Sequence, residues 1–204
     1  MSALKNMIAG FMLFVLSQAL WANDVEQASQ VVKDFQAELI SLMKQGDKLN
    51  FEQRSTQLRP VLIKTHNMVR MSRAVMGRNW AELSTEQKKQ LITKLIDLSV
   101  ASYAHHFSSF SGQSFEVKSV EKVRSQIYVK TFLILPDDED VSIDYLLKKK
   151  GDSWRIINIL SKGVSDIALK RSEYGVVFKK SGFEVLLAEI TVKIENFAKE
   201  KKGV

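Results

Sequence analysis

WRIINILSKGVSDIALKRSEYGVVFKKSGFEVLL, residues 154–187, decides the fold. Its layout is a strand over 154–161, a glycine turn at Gly163-Val164-Ser165, a short helix, and then a helix–glycine–helix through Tyr174 and Gly182. A strand handed over to helices at one glycine marks the join between a sheet and a helical tail. Gly163 serves a backbone conformation that other residues disfavour. Ser165 suits a helix N-cap, and because the Gly-x-Ser-x-Gly pattern is absent it is not a nucleophile elbow.

Upstream of the join, residues 114–122, 127–135 and 141–150 are rich in Val, Ile, Tyr and Phe and are parted by polar turns. Pro136-Asp137-Asp138 and Gly151-Asp152 are good hairpin connections. With 154–161 they predict a four-stranded antiparallel meander. Before it, apolar residues recur at helical spacing: Val25, Ala28, Val31, Val32, Phe35, Leu39, Leu42 and Met43, stopped by Gly46-Asp47. A second helical stretch runs from about Phe51 to Gly77, with Pro60 either opening a new helix or kinking it. Ser84 and Gln87 form a capping box for a long helix predicted to end near Ser111-Gly112. Helices, then strands, then helices make an α+β domain: a helical layer packed on a twisted four-stranded antiparallel sheet.

The first residues read as a cleavable secretion signal. Lys5 supplies the basic start, and Met7 to Leu16 an apolar run too short to span a bilayer. Cleavage after Ala22 or Ala19 fits, so residues 1–22 are assigned to the signal and 23–204 to a single domain. Such a domain buries roughly 70% of its unfolded surface. The chain has no Cys, hence no disulfide, no thiol catalysis and no lipoprotein attachment site. Its net charge is +7. Secretion argues against nucleic acid as the reason for that charge; an anionic lipid envelope or plain solubility accounts for it equally well.

The search for chemistry returns little. His105 and His106 are adjacent on a helix and point about 100° apart, so they do not share a metal ion. The acidic run Asp137 to Asp140 reads as a solvated turn rather than a cation site. No catalytic residue and no cofactor is assigned. Asp144, Tyr145 or Asn158 would be the acid or base if a cone-shaped α+β domain housed an isomerase or dehydratase. The apolar residues of the strands (Phe132, Ile134, Ile143, Tyr145, Leu147, Ile156, Ile159) and helices (Met68, Met71, Val75, Met76, Tyr103, Phe107, Phe110) suit a flexible apolar guest. Spacing alone favours a filled core, and periodicity does not separate a packed interior from a hollow one.

Several short motifs stand in order along the chain: Arg59-Pro60, Met76-Gly77-Arg78-Asn79-Trp80, the capping box, Phe107, Trp154, Gly163-Val164-Ser165, Glu173-Tyr174 and Gly182. Together they resemble the MlaC (toluene-tolerance) family of periplasmic phospholipid-binding proteins. The resemblance spans about residues 30–195 and extends to a hopanoid-associated branch. The tip Pro136 to Asp140 and the run Lys148-Lys149-Lys150 have no counterpart in it.

The resemblance implies a monomeric periplasmic carrier of diacyl phospholipid. Its partners would be an outer-membrane lipoprotein–porin complex and the ring subunit of an inner-membrane ABC transporter. Two acyl chains represent on the order of 20 kcal/mol of hydrophobic free energy. Enclosing both calls for a cavity of roughly 1,000 Å³ between sheet and helices. The expected wall is Met71, Val75, Phe107, Phe132, Tyr145, Leu147 and Ile156 from apolar patterning. The family motif adds Val164 and Ile167, at either of which Glu should lower lipid occupancy without harming the fold. Lys162, Lys170 and Arg171 surround that motif and would meet phosphate, an acidic docking surface or solvent. The rival readings are the isomerase-like pocket, with a buried ionisable group and no room for two tails, and a ligand-free interaction module.

Overall fold

The computed structural model describes residues 2–199, with side chains described for 23–46 and 48–199. Helix α1 spans Ser2–Gln45, and its described part buries one stripe, Ala28, Val32, Phe35, Leu39 and Leu42. The spacing of three and four keeps these side chains on one face. The side chains of the expected signal, 1–22, lie outside the described residues.

Helix α2 (Phe51–Thr65) opens on a capping box between Asn50 and Gln53. Pro60 neither starts nor breaks it. Pro60 and Thr56 are both exposed, so the Thr56 carbonyl, which loses its helical donor, faces water. The stretch expected to run on to Gly77 divides at His66-Asn67, where the Asn67 side chain caps α3 (Met68–Met76) by accepting from Arg70 N–H at 3.1 Å. Helix α4 (Thr85–His106) starts on the predicted box, Ser84 Oγ accepting from Gln87 N–H at 3.1 Å. It ends about five residues before the expected point, because Phe107 leaves the helical region (φ −105°, ψ 52°).

The strands are β1 (Ser114–Val123), β2 (Gln126–Ile134), β3 (Val141–Lys150), β4 (Ser153–Ser161) and β5 (Val164–Ser165), in the order β1-β2-β3-β4-β5 and all antiparallel. The sheet therefore has five strands rather than four. β5 is two residues long and carries no period to read. It turns back on β4 through Lys162-Gly163, both at positive φ (50° and 76°), the geometry of a tight right-twisted hairpin. Ser165 then caps helix α5 (Asp166–Lys199), accepting from Ala168 N–H at 3.1 Å. Gly182 (φ 85°, ψ −178°) breaks α5 at the predicted glycine.

One face of the sheet presents Ile127, Val129, Tyr145, Leu147, Trp154 and Ile156, closed against α1, α2 and the end of α4. A second cluster joins α3, α4 and α5 through Met68, Met71, Val75, Met76, Leu91, Tyr174 and Leu186. Two contacts brace the arrangement. Asn67 N–H donates to the Ile156 carbonyl at 2.8 Å, fastening the α2–α3 junction to β4. Asp24 accepts from Lys122 at 3.1 Å and pairs with Lys149 at 2.8 Å, fastening α1 to β1 and β3 and giving the lysine run a structural task. Those lysines, Lys149 first, hold the Asp24 carboxyl below its usual range against the burial that raises it. Among the described residues, no helix is long and apolar enough to cross a membrane.

Candidate functional site

A groove lies where the two clusters meet. Leu62 and His66 come from α2, Met71 from α3, Tyr103 and Phe107 from the end of α4, Ile143, Tyr145 and Ile159 from the sheet, and Val164 and Leu169 from the β5–α5 corner. Each element delivers its residue for a local reason. The α2–α3 break turns His66 and Met71 inward, and the Phe107 cap turns that ring off the helix axis. Strand alternation puts Ile143, Tyr145 and Ile159 on one face. The volume is about 260 Å³, well below the roughly 1,000 Å³ expected for two tails, because side chains of both clusters close on it. It opens to solvent past Val164 and Leu169, which are 50% and 60% exposed.

Phe35 anchors the wall. Its ring meets His66 at 4.9 Å, Tyr103 at 5.2 Å and Tyr145 at 6.3 Å, all edge to face. Burial pushes the Tyr103 phenol well above its usual range, with Tyr145 and Asp166 adding to it. Burial does the same to Tyr145, opposed by a hydrogen bond from Gln36. His66 is driven down to about 3 by burial, opposed by the nearby backbone of Leu62. At neutral pH these three side chains are therefore uncharged. Charge sits in the Asp166–Lys170 ion pair on the lining, which Ser99, Ser102, Ser161 and His106 complete.

Of the nine expected wall residues, Met71, Phe107, Tyr145 and Val164 line this groove. Val75 and Ile167 flank a small adjoining cleft with Met71. Leu147 and Ile156 face the same way as Tyr145 but are sealed in the sheet-side core. Phe132 lies on the opposite face of the sheet, one position out of phase with Thr131, with the Lys118 ammonium 5.5 Å from its ring centre. Ile143, Ile159 and Tyr103 belonged to the broader apolar set. His66, Leu62 and Leu169 were not anticipated; the one signal for His66 is the polar triplet Thr65-His66-Asn67, which interrupts the apolar spacing.

The groups weighed for catalysis are occupied otherwise. Asn158 accepts from Ser165 Oγ at 3.1 Å and helps set the corner. Asp144 stands opposite Lys130 in the β2–β3 register, on the face away from the groove. Arg171 donates from Nε to the Ala74 carbonyl at 2.6 Å, closing the last turn of α3, and Lys170 is engaged by Asp166. Among the described residues, no three of His, Cys, Asp or Glu come together as metal ligands.

The chain matches the sequence model of a family described as MlaC protein over residues 33–191. Among solved structures it is similar to the phospholipid-binding protein from Ralstonia solanacearum in complex with a phospholipid. The TM-score is 0.76 at 19% identity, over 85% of this chain and 99% of that one. At that identity the likeness establishes a shared α+β fold. No curated protein matches the sequence.

Proposed function

Because the chain belongs to the MlaC family, we propose that it binds phospholipid in the groove between its two cores and carries it through the periplasm. The carrying would run between an outer-membrane lipoprotein–porin complex and the ring subunit of an inner-membrane ABC transporter. The observation that supports this best is the groove itself: a mostly apolar, aromatic-lined channel that includes Met71 and the paired Asp166 and Lys170, open at one corner, in a fold shared with a protein solved in complex with a phospholipid. Each methylene buried contributes about 0.8 kcal/mol, so an apolar channel holds a tail without any placed polar contact. At about 260 Å³ it admits part of one chain, and two tails require the α3–α5 layer to part from the sheet. Residues 1–22 act as the export signal in this reading, and 23–204 as the carrier domain.

One observation favours the isomerase-like reading: a buried histidine in a small pocket. A general base works best with a pKa near the operating pH. His66, held at about 3, is far too weak a base, and no carboxylate stands among the groove's neighbours except Asp166, which is paired with Lys170. Binding without catalysis is the better reading.

Organic extraction and mass spectrometry of the protein, exported to a Gram-negative periplasm and purified without detergent, tests it. About one phospholipid per chain surviving gel filtration is expected. Lipid-free, folded protein would move the weight to the other readings.

A further inference from the structure

The groove carries one polar atom that an ordinary phospholipid tail leaves unmet. His66 is 4% exposed, and its Nε2 has no hydrogen-bond partner among the described residues. The opposite ring nitrogen fixes the tautomer. Thr65 Oγ1 lies 2.8 Å from His66 Nδ1 and 2.7 Å from the Val61 carbonyl oxygen. A carbonyl only accepts, so the single Thr65 hydroxyl proton goes to Val61. Nδ1 therefore carries the ring proton and donates it to Thr65, which leaves Nε2 a bare lone pair. Burial keeps the ring neutral.

A buried acceptor with no donor is destabilising, and a ligand that brings the donor gains what its absence costs. The hydroxyls on the lining, Ser99, Ser102 and Tyr103, make no hydrogen bond to Nε2. Leu62 and Met71 line the groove with His66, and the ring of Phe35 stands edge-on behind it. None of these donates. A saturated acyl chain has no donor either.

We propose that the groove recognises a lipid chain bearing an O–H donor, with His66 Nε2 accepting its hydrogen bond. This rests on the carrier reading and names the chemistry of the cargo. Two sources share that chemistry. A hydroxylated acyl chain donates directly. A fatty acid entering carboxyl first donates as the neutral acid, because an apolar site raises its pKa and favours the protonated form. The site accordingly discriminates by a group deep along the chain rather than by a head group.

The test uses the delipidated mature chain and four probes in competition with a fluorescent fatty acid. Methyl stearate has no donor, a set of methyl monohydroxystearates has only a hydroxyl at different carbons, stearic acid has only its carboxyl, and phosphatidylglycerol reports the carrier activity itself. At least one hydroxylated ester, or stearic acid, should bind about tenfold more tightly than methyl stearate, the size of one buried hydrogen bond. His66→Phe, which keeps a flat ring and removes the acceptor, should abolish that preference, so that the favoured probe and methyl stearate bind alike. Which probe gains identifies the source. Nitrogen NMR of the imidazoles in the unmutated protein gives a second readout that does not depend on a variant folding: the bare Nε2 signal of His66 should move when the favoured probe binds and stay put with methyl stearate. Equal binding of all chains, with phosphatidylglycerol still bound, overturns the proposal and leaves the carrier reading intact. Failure of every probe, phosphatidylglycerol included, overturns both.

Discussion

The two clusters facing each other across the groove are made of different materials. The sheet-side cluster is aromatic and β-branched, built on Phe35, Val129, Tyr145 and Ile156, with its rings fixed edge to face. The helix-side cluster contains Met68, Met71 and Met76, three of the seven methionines in the sequence, and is carried on helices interrupted at Asn67 and Gly182. No methionine appears in the sheet-side cluster. Branched and aromatic side chains have few rotamers and hold a shape, whereas methionine refits itself to its neighbours. One wall is suited to holding the groove's shape and the other to adapting it.

The largest test of that contrast is Phe35→Ala. Removing the ring against which His66, Tyr103 and Tyr145 pack should cost about 3–5 kcal/mol in urea unfolding. A loss of less than about 1 kcal/mol would mean the rigid wall is not rigid. Next comes a pair that the sequence treated alike. Ile167 is 8% exposed and Val164 is 50% exposed. Ile167→Glu buries a charge and should cost at least about 2 kcal/mol, contrary to the expectation that the fold would survive it unharmed. Val164→Glu should stay within about 0.5 kcal/mol yet reduce lipid recovered per chain by mass spectrometry. Equal stability losses in the two would erase the distinction between core and mouth.

Met71→Leu conserves volume and removes adaptability. Unfolding should register less than about 1.5 kcal/mol, while tolerance for lipids of differing chain length narrows in competition binding. An unchanged range of accepted lipids would show that the yielding wall does not depend on this methionine. The smallest effect belongs to the clamp outside both clusters. Asp24→Asn should cost about 1 kcal/mol or less. The Asp24 carboxyl is lowered in the fold, so its contribution is complete above the unfolded value of about 4 and disappears as pH falls through the lowered folded value. Melting curves of the two proteins should differ most at neutral pH and converge in strong acid. A gap that persists in acid would assign the effect to something other than the carboxylate.

The strands were legible because Val, Ile and Tyr alternate between turn residues, and α4 announced its start through Ser84 and Gln87. Its end was not. Phe107 and Phe110 continue the helical spacing, but the first caps the helix and the second lies 40% exposed beyond it. Apolar spacing reports where a side chain faces only after the backbone has stayed regular. Strand β5 escaped because a two-residue strand has no period. In the groove, Met71, Phe107, Tyr145 and Val164 were found, while Leu147 and Ile156 were not separable from them. All sit on inward faces, and the difference between lining and sealed is set by how far the opposite layer reaches. Phe132 was misplaced because an aromatic residue in a strand reads as inward until the register of its neighbours is known. His66 was passed over because a histidine with no metal partners carries no chemistry on a list of residues; its meaning comes from the Thr65 hydroxyl and an unpartnered nitrogen.

The bond between Asp24 and the lysines of β1 and β3 joins parts of the chain that are made far apart. Helix α1 leaves the ribosome first and meets α2 early, yet the sheet that covers the rest of its buried stripe is made about a hundred positions later. Contacts that distant are slow to form, because the loop between them must close before either end gains anything. An amphipathic segment that stays unpaired for so long remains extended and open to a chaperone. If the chain is exported before it folds, as the proposed function has it, such delay would keep it translocatable, and the docking of α1 on the sheet would be a late step.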